Sequence, residues 1–247
     1  MKIKSILISQ PAPKNDRSPY FDLAKKHNLK IDFRSFIEVV GVSLKEFRKQ
    51  KVNLLEHSAV ILTSKTAVDN YFRLAEEMRI NIPTSMKFFC LTETIAMYLQ
   101  KYITYRKRKI FFGERTIDDI MDLLMKNRNE KFLLPVADIH KPHIANKLKA
   151  KKFAFTKAIM FKTVSSDLSD LAEVNYDVLA FFSPAGINSL FENFPDFKQN
   201  NTKIAAFGTS TTEAVKKSKL NLDIMAPTPE APSMSRAIEL YIKQNKK

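Results

Sequence analysis

The sequence predicts an α/β protein: two similar three-layer domains with parallel sheets, joined by a two-stranded connection. Three observations carry this prediction. Short apolar runs alternate with amphipathic stretches of helical length along the chain, the pattern of parallel strands covered by helices on both faces. A strand–turn–helix signature also recurs at one nearly constant spacing. Ala-Val-Ile-Leu-Thr-Ser, ending at Ser64, is echoed by Val-Leu-Ala-Phe-Phe-Ser, ending at Ser183, so that Ala67 matches Gly186, Val68 matches Ile187 and Phe72 matches Phe191. Thr94 and Thr211 form a second pair at almost the same spacing, which indicates duplicated halves rather than an array of short repeats. Thirdly, two long extended stretches, 31–42 and 153–164, share length and composition and are expected to run side by side, one leaving the first domain and one returning to it.

Taken in order, Ser5 to Ser9 is an apolar strand stopped by Gln10-Pro11-Ala12-Pro13. Tyr20 to His27 reads as a short helix, and 31–42 as a single extended segment. Residues 44–55 have a helical pattern, followed by strand 60–63, helix 66–78, strand 88–91 and helix 93–102. A strand at 109–112, a helix over 117–126, a strand at 132–136 and a helix over 142–151 complete the middle of the chain. After the second long extended stretch, the apolar run Val178 to Phe182 stops at Ser183-Pro184. There Ser183 suits the N-cap, because its hydroxyl can accept from a free first-turn amide, and Pro184 suits the first helical position, where a missing N–H costs nothing. A strand at 203–207, a helix at 211–217, a strand at 222–226 and a helix at 233–244 follow. The expected domains are therefore 1–35 with 166–247, discontinuous, and an inserted 43–152, with 36–42 and 153–165 as the crossover strands.

The net charge of +15 favours anionic partners. The densest basic cluster, Arg106 to Lys109, has no aromatic or helix-turn-helix motif interleaved with it, so no specific nucleic acid is expected. No apolar run reaches the roughly 18 residues that span a bilayer, so no membrane partner is expected. The single cysteine, Cys90, excludes an intrachain disulfide and fits a reducing cytoplasm. It reads as a buried small hydrophobe. Asp138, His140 and His143 lie close in sequence, but Pro142 intervenes and no fourth ligand is evident, so no metal is expected. Four glycines and no Walker or dinucleotide motif argue against a phosphate-cradling loop.

In several places the chain resembles the uroporphyrinogen-III synthase family. The paired turns Leu62-Thr63-Ser64-Lys65 and Phe181-Phe182-Ser183-Pro184 are similar to the Phe-Thr-Ser-Pro-like turn that the family carries once per domain. Phe207-Gly208-Thr209-Ser210-Thr211-Thr212-Glu213-Ala214 resembles its late Ile-Gly-Pro-Thr-Thr-Ala turn, and Ala226-Pro227-Thr228-Pro229 its Pro-Thr-Pro-like ending. The resemblance covers nearly the whole chain. It implies two flavodoxin-like lobes with the active cleft between them, acting as a monomer without cofactor. It also implies one reaction, the dehydration and closure of hydroxymethylbilane to uroporphyrinogen III with inversion of ring D.

A substrate with eight carboxylates suits helix N-termini, where amides are unpaired and the dipole is positive. The expected substrate-binding residues are Ser64, Thr66, Thr94, Ser183, Ala185, Gly186, Ser210 and Thr211, at the carboxyl ends of strands where open α/β sheets bind ligands. Thr211 is also a candidate for a catalytic role. Ser210-Thr211-Thr212-Glu213 matches a capping box. Taken singly, each of these hydroxyls reads first as an ordinary helix cap. The chain departs from the family at Phe161, in Met160-Phe161-Lys162-Thr163, where the resemblance places a tyrosine that assists the leaving hydroxyl. Phe161 cannot give a proton. Lys162, a nearby hydroxyl or water takes that part, or activity is reduced. Ser9-Gln10 replaces a Thr-Arg pair, and a glycine expected near Leu91 is absent. The competing reading is a non-catalytic ligand-binding or sensor module on the same duplicated scaffold, with Phe161 as its main support.

Overall fold

The computed structural model describes residues 3–15, 17–171 and 175–245. In chain order the strands and helices are β1 (Ser5–Ile8), α1 (Pro19–His27), β2 (Lys30–Phe33), β3 (Ile37–Gly41), α2 (Leu44–Lys49), β4 (Ala59–Leu62), α3 (Lys65–Glu77), β5 (Lys87–Cys90), α4 (Glu93–Tyr98) and β6 (Ile110–Phe112). Then come α5 (Met121–Lys126), β7 (Phe132–Ala137), α6 (His143–Ala150), β8 (Phe155–Ser165), β9 (Val178–Phe181), α7 (Pro184–Asn193), β10 (Lys203–Phe207), α8 (Thr209–Lys217), β11 (Leu222–Ala226) and α9 (Met234–Gln244). The chain divides into two compact units, unit 1 being Met1–Glu38 with Val164–Lys247 and unit 2 being Val39–Thr163.

Unit 1 is built on a five-stranded sheet in the order β11-β10-β9-β1-β2, and all its strand pairs are parallel. Its two faces are covered separately. Ile6, Ile8, Val178 and Ala180 meet Leu23 of α1 and Ile238 of α9. Leu7, Leu179 and Phe181 meet Ile187 and Leu190 of α7 and Val215 of α8. Alternate residues of one strand thus serve opposite layers, which is why β9 is buried at every position.

Unit 2 is built on a six-stranded sheet in the order β3-β8-β7-β4-β5-β6. Val60 and Leu62 of β4 pack with Val68 and Leu74 of α3 and Ile95 of α4. Ala59 and Ile61 of the same strand pack with Leu124 of α5 and with Ile144 and Leu148 of α6. The strands β4, β5, β6, β7 and β8 are joined by parallel pairings. Both units are therefore three-layer α/β structures built mainly on parallel strand pairs, as the alternation of runs predicts, and β3 lies beside β8, as the paired extended stretches predict, with bonds from Val42 to Met160 and from Ser166 to Phe36 that run in antiparallel register.

Several local expectations are corrected. The stretch 31–42 is two strands in two different sheets, β2 and β3. The chain turns at Ser35, whose hydroxyl donates to the Ile37 carbonyl, and at Phe36, which is buried against Phe181. The helical pattern at 44–55 breaks at Lys51, whose φ of +54° is left-handed, leaving α2 and a short 3-10 turn at Leu54–Glu56. The helix expected over 117–126 is a 3-10 turn, Asp118–Ile120, followed by α5. No capping box forms at Ser210–Glu213, because α8 starts two residues earlier, after Gly208. That N-cap has φ +85°, which only glycine adopts without strain. The capping box is instead at α2, where the Ser43 hydroxyl accepts from the Glu46 amide at 3.2 Å and Glu46 Oε2 accepts from the Ser43 amide at 2.9 Å.

Glu46 has a further partner, since Lys162 Nζ of β8 donates to its Oε1 at 2.8 Å. The Lys162 ammonium first, and the Ser43 amide and hydroxyl next, hold this carboxyl down from 4.5 to about 2. A depressed folded-state value stabilises the fold above the unfolded value, and that contribution is lost as pH falls from about 4.5 towards about 2. Glu46→Gln is therefore expected to be less stable than the parent at pH 7, and the difference is expected to close by pH 2. Paired urea titrations across that window check it. The carboxyl is exposed, so the effect is small.

Candidate functional site

The sheet order of unit 2 fixes where a ligand can sit. From β4 the chain steps through β5 to β6 on one side, with α3 and α4 on one face. It then crosses to β7 on the other side of β4, with α5 and α6 on the opposite face. Adjacent connections diverge between β4 and β7, and a crevice opens beyond the carboxyl ends of those strands. A cavity of about 480 Å³ lies there, lined by the ends of β4, β5 and β7 at Thr63, Ser64, Leu91, Val136 and Ala137, and by Phe161 of β8. Its size is in the range of small-molecule sites.

The rest of the wall mixes apolar side chains, Ile117, Leu134, Ile144 and Ala145, with polar and basic groups from the segments after β6 and β7. Arg115 and Thr116 follow β6, and His140, Lys141 and His143 follow β7. Among the described residues no carboxylate lines the cavity. The Arg115 loop is held in shape by Asp119, whose Oδ2 accepts from the Arg115 and Thr116 amides at 2.8 and 2.7 Å. Those amide bonds, Thr116 first, keep the Asp119 carboxyl below the usual carboxylate range. The loop after β7 is tied to β8, because the Asp138 amide donates to the Phe161 carbonyl at 3.1 Å and Asp138 Oδ1 accepts from the Ile139 amide at 2.8 Å. A register shift between Val136 and Ala137 brings Ala137 opposite Phe161. Bulges of this kind re-aim side chains beside functional sites.

At the floor, Ser64 caps α3. Its hydroxyl accepts from the Ala67 amide at 3.0 Å and its carbonyl from the Val68 amide at 3.2 Å. Helix geometry leaves the Lys65 and Thr66 amides as the open donors of that turn. The Lys65 ammonium is drawn over the Tyr98 ring, 5.1 Å from its centre. Cys90, at the end of β5, is buried, and burial pushes its thiol up to about 12, so it is no nucleophile. Among the described residues no group of three or more His, Cys, Asp or Glu is placed to hold a metal.

The carboxyl edge of unit 1 repeats this arrangement at its own switch point, between β1 and β9. The Ser183 hydroxyl accepts from the Gly186 amide at 3.2 Å, the same cap that Ser64 gives to Ala67. Ser9, at the end of β1, is buried, and its hydroxyl would lie 3.8 Å from a Cβ placed on Gly186. Ala185 is half-buried in the same turn. Of the residues at the start of α8, Ser210 is exposed, whereas Thr211 is 1% exposed and packed inside the first turn. Thr94 is exposed on α4, whose N-cap is Thr92. A separate cavity of about 350 Å³ in unit 1 is lined mainly by apolar groups, among them Leu7, Phe36, Leu179 and Phe197, with Asp196 as its charged member. It offers nothing to a polyanion.

Of the residues expected from sequence, the structure thus gathers Ser64 and Phe161 into one cavity, with Thr66 on the adjoining turn. It gathers Ser183, Ala185 and Gly186 at the edge of unit 1. Arg115 and Lys141 were not expected. Their only sequence signal is a cation in a loop that follows a strand.

The family model described as HEM4, uroporphyrinogen-III synthase HemD, matches residues 19–236. The fold is similar to the crystal structure of uroporphyrinogen-III synthetase from Helicobacter pylori 26695, with 17% identity over 98% of this chain and 100% of that one and a TM-score of 0.58. A mutant uroporphyrinogen III synthase from Thermus thermophilus aligns at 14% identity over 98% and 100% of the two chains, with a TM-score of 0.48. No curated protein sequence gives a significant match.

Proposed function

The chain belongs to the uroporphyrinogen-III synthase family, and from that premise we propose how it handles its substrate. It is a hydro-lyase that closes hydroxymethylbilane to uroporphyrinogen III with inversion of ring D. It works as a monomer in the cytoplasm, without specific nucleic-acid or membrane partners and without a cofactor. A single buried thiol suits that compartment. Among the described residues no helix is long and apolar enough to cross a membrane.

The observation that carries the reading is the unit 2 cavity, which sets Ser64, the N-cap of α3, on the same wall as Arg115 and Lys141 and presents no carboxylate among the described residues. Such a wall suits the acetate and propionate arms of a polyanionic tetrapyrrole. Ser64, Thr66, Arg115 and Lys141 are its proposed carboxylate-binding residues, with Ser183, Ala185, Gly186 and Ser210 offering equivalent amides and hydroxyls on unit 1. Thr94 and Thr211 contribute by helix position alone. Phe161 supplies an apolar face for a pyrrole ring.

The chemistry asks little covalent work of the protein. Departure of the terminal hydroxyl leaves an azafulvenium whose charge is spread into the pyrrole. The substituted carbon of ring D must then be attacked to give a spiro intermediate that rearranges. Holding the chain for that attack is catalysis by positioning, and the surrounding dipoles stabilise the moving charge. Purified protein given hydroxymethylbilane is expected to release the type III isomer faster than the spontaneous type I product forms. Type I alone, at the uncatalysed rate, would leave the non-catalytic sensor as the better reading.

A further inference from the structure

We propose that His140 is the proton donor to the leaving hydroxyl. This rests on the synthase reading above and assigns a residue to its first step. Loss of a hydroxyl from carbon is eased when the departing oxygen is protonated, so the cavity should hold a group that gives up a proton near neutral pH and regains it. Phe161 is inert. Lys162, the neighbouring cation on β8, has its ammonium 2.8 Å from Glu46 Oε1 and does not line the cavity. The hydroxyls of Thr63, Ser64 and Thr116, and the Arg115 guanidinium, are poor acids at that pH. The imidazole is the side chain suited to it.

Of the two imidazoles, only one is built in. His143 is exposed and is the first residue of α6, and no hydrogen bond holds its ring among the described residues. His140 is half-buried, and its Nδ1 lies 2.7 Å from the Ala137 carbonyl. A carbonyl only accepts, so Nδ1 carries a hydrogen in either protonation state and the exchangeable proton belongs to Nε2. Ala137 is the register partner of Phe161, so the ring is anchored on the same wall as that apolar face. The charged or titratable groups facing it are Arg115 from the loop after β6 and Lys141 and His143 from its own segment. The acid nearest in the chain, Asp138, is turned back to the Ile139 and Thr163 amides.

The step balances. Nε2 gives its proton to the hydroxyl oxygen, the C–O bond breaks with its electron pair leaving on water, and the pyrrole nitrogen lone pair moves in to form the azafulvenium. Ring closure and rearrangement later expel one proton from a pyrrole carbon. The neutral imidazole takes it up, and the site returns to its starting state.

The test is kinetic. His140→Gln is expected to lower kcat by about 100-fold, the low end for a general acid, and to leave KM within about twofold. Wild-type kcat should fall as pH rises through the titration of the ring, and the variant should lose that alkaline limb. His140→Gly should regain activity with added imidazole, which a merely structural role would not allow. Wild-type kcat in His140→Gln overturns the assignment. So does a lowered kcat with an unaltered pH profile and no imidazole rescue in a variant whose circular dichroism is native. In either case wild-type protein still makes the type III isomer. Failure of the wild type to make it would instead sink the synthase reading.

Discussion

Arg115→Glu combined with Lys141→Glu is expected to reduce kcat/KM for hydroxymethylbilane by about a thousandfold, chiefly through KM. Both side chains line the unit 2 cavity, which contains no acid to offset them among the described residues. A charge pair about 4 Å apart is worth about 1 kcal/mol in water and about 4 kcal/mol near a protein surface. Taking about 2 kcal/mol for each position, the two reversals together cost about 4 kcal/mol, and each 1.4 kcal/mol is about tenfold in affinity. The comparison that isolates charge is the neutral pair, Arg115→Gln with Lys141→Met, which is expected to lose about half as much in logarithmic terms. Steady-state kinetics at two salt concentrations check it, since screening should shrink the wild-type advantage. An unchanged KM in the charge-reversed protein would move the carboxylate seat elsewhere.

Phe89→Ala is expected to destabilise unit 2 severely, by about 3–5 kcal/mol. Phe89 is fully buried at the centre of β5. Its ring stacks on Phe111 at 4.7 Å and meets the edge of Phe132 at 5.5 Å, so truncation removes one ring and leaves two others facing a void. With a urea slope of about 2 kcal/mol/M for a unit of this size, the unit 2 midpoint should fall by about 2 M. Phe112→Ala, at the end of the neighbouring strand β6, is the control. Phe112 is 37% exposed and should lose less than about 1 kcal/mol. Urea curves followed by circular dichroism decide between them.

Most of the architecture is legible in the sequence because its causes are local. A serine after a fully apolar run both ends a strand and caps a helix, and Ser64 and Ser183 do so with nearly the same bond. Alternation of strand and helix then implies parallel sheets. What is not legible depends on strand order or on helical phase. Arg115 and Lys141 are joined in one cavity only because β7 returns to the far side of β4, and no local pattern encodes that return. Ser210 and Thr211, expected to act alike, part because Gly208 starts α8 two residues early, which leaves Ser210 exposed and Thr211 packed inward. His140 stands out once its ring is seen bonded beside the partner of Phe161. Its sequence neighbourhood suggests metal ligation as readily as proton transfer.

The discontinuous make-up of unit 1 has a bearing on the order in which the protein is made. Unit 2 is one uninterrupted segment, and all the partners its strands need are synthesised together. Unit 1 places β1 at the middle of its sheet, between β2 and β9. While the ribosome is still extending the chain through unit 2, Ile6 and Ile8 have a neighbour on one side only, and the edge meant for Val178 to Ala180 stays open. The later-begun unit is thus the first that can finish folding, and β1, made before it, waits for β9 as a bare apolar edge of the kind that chaperones shield.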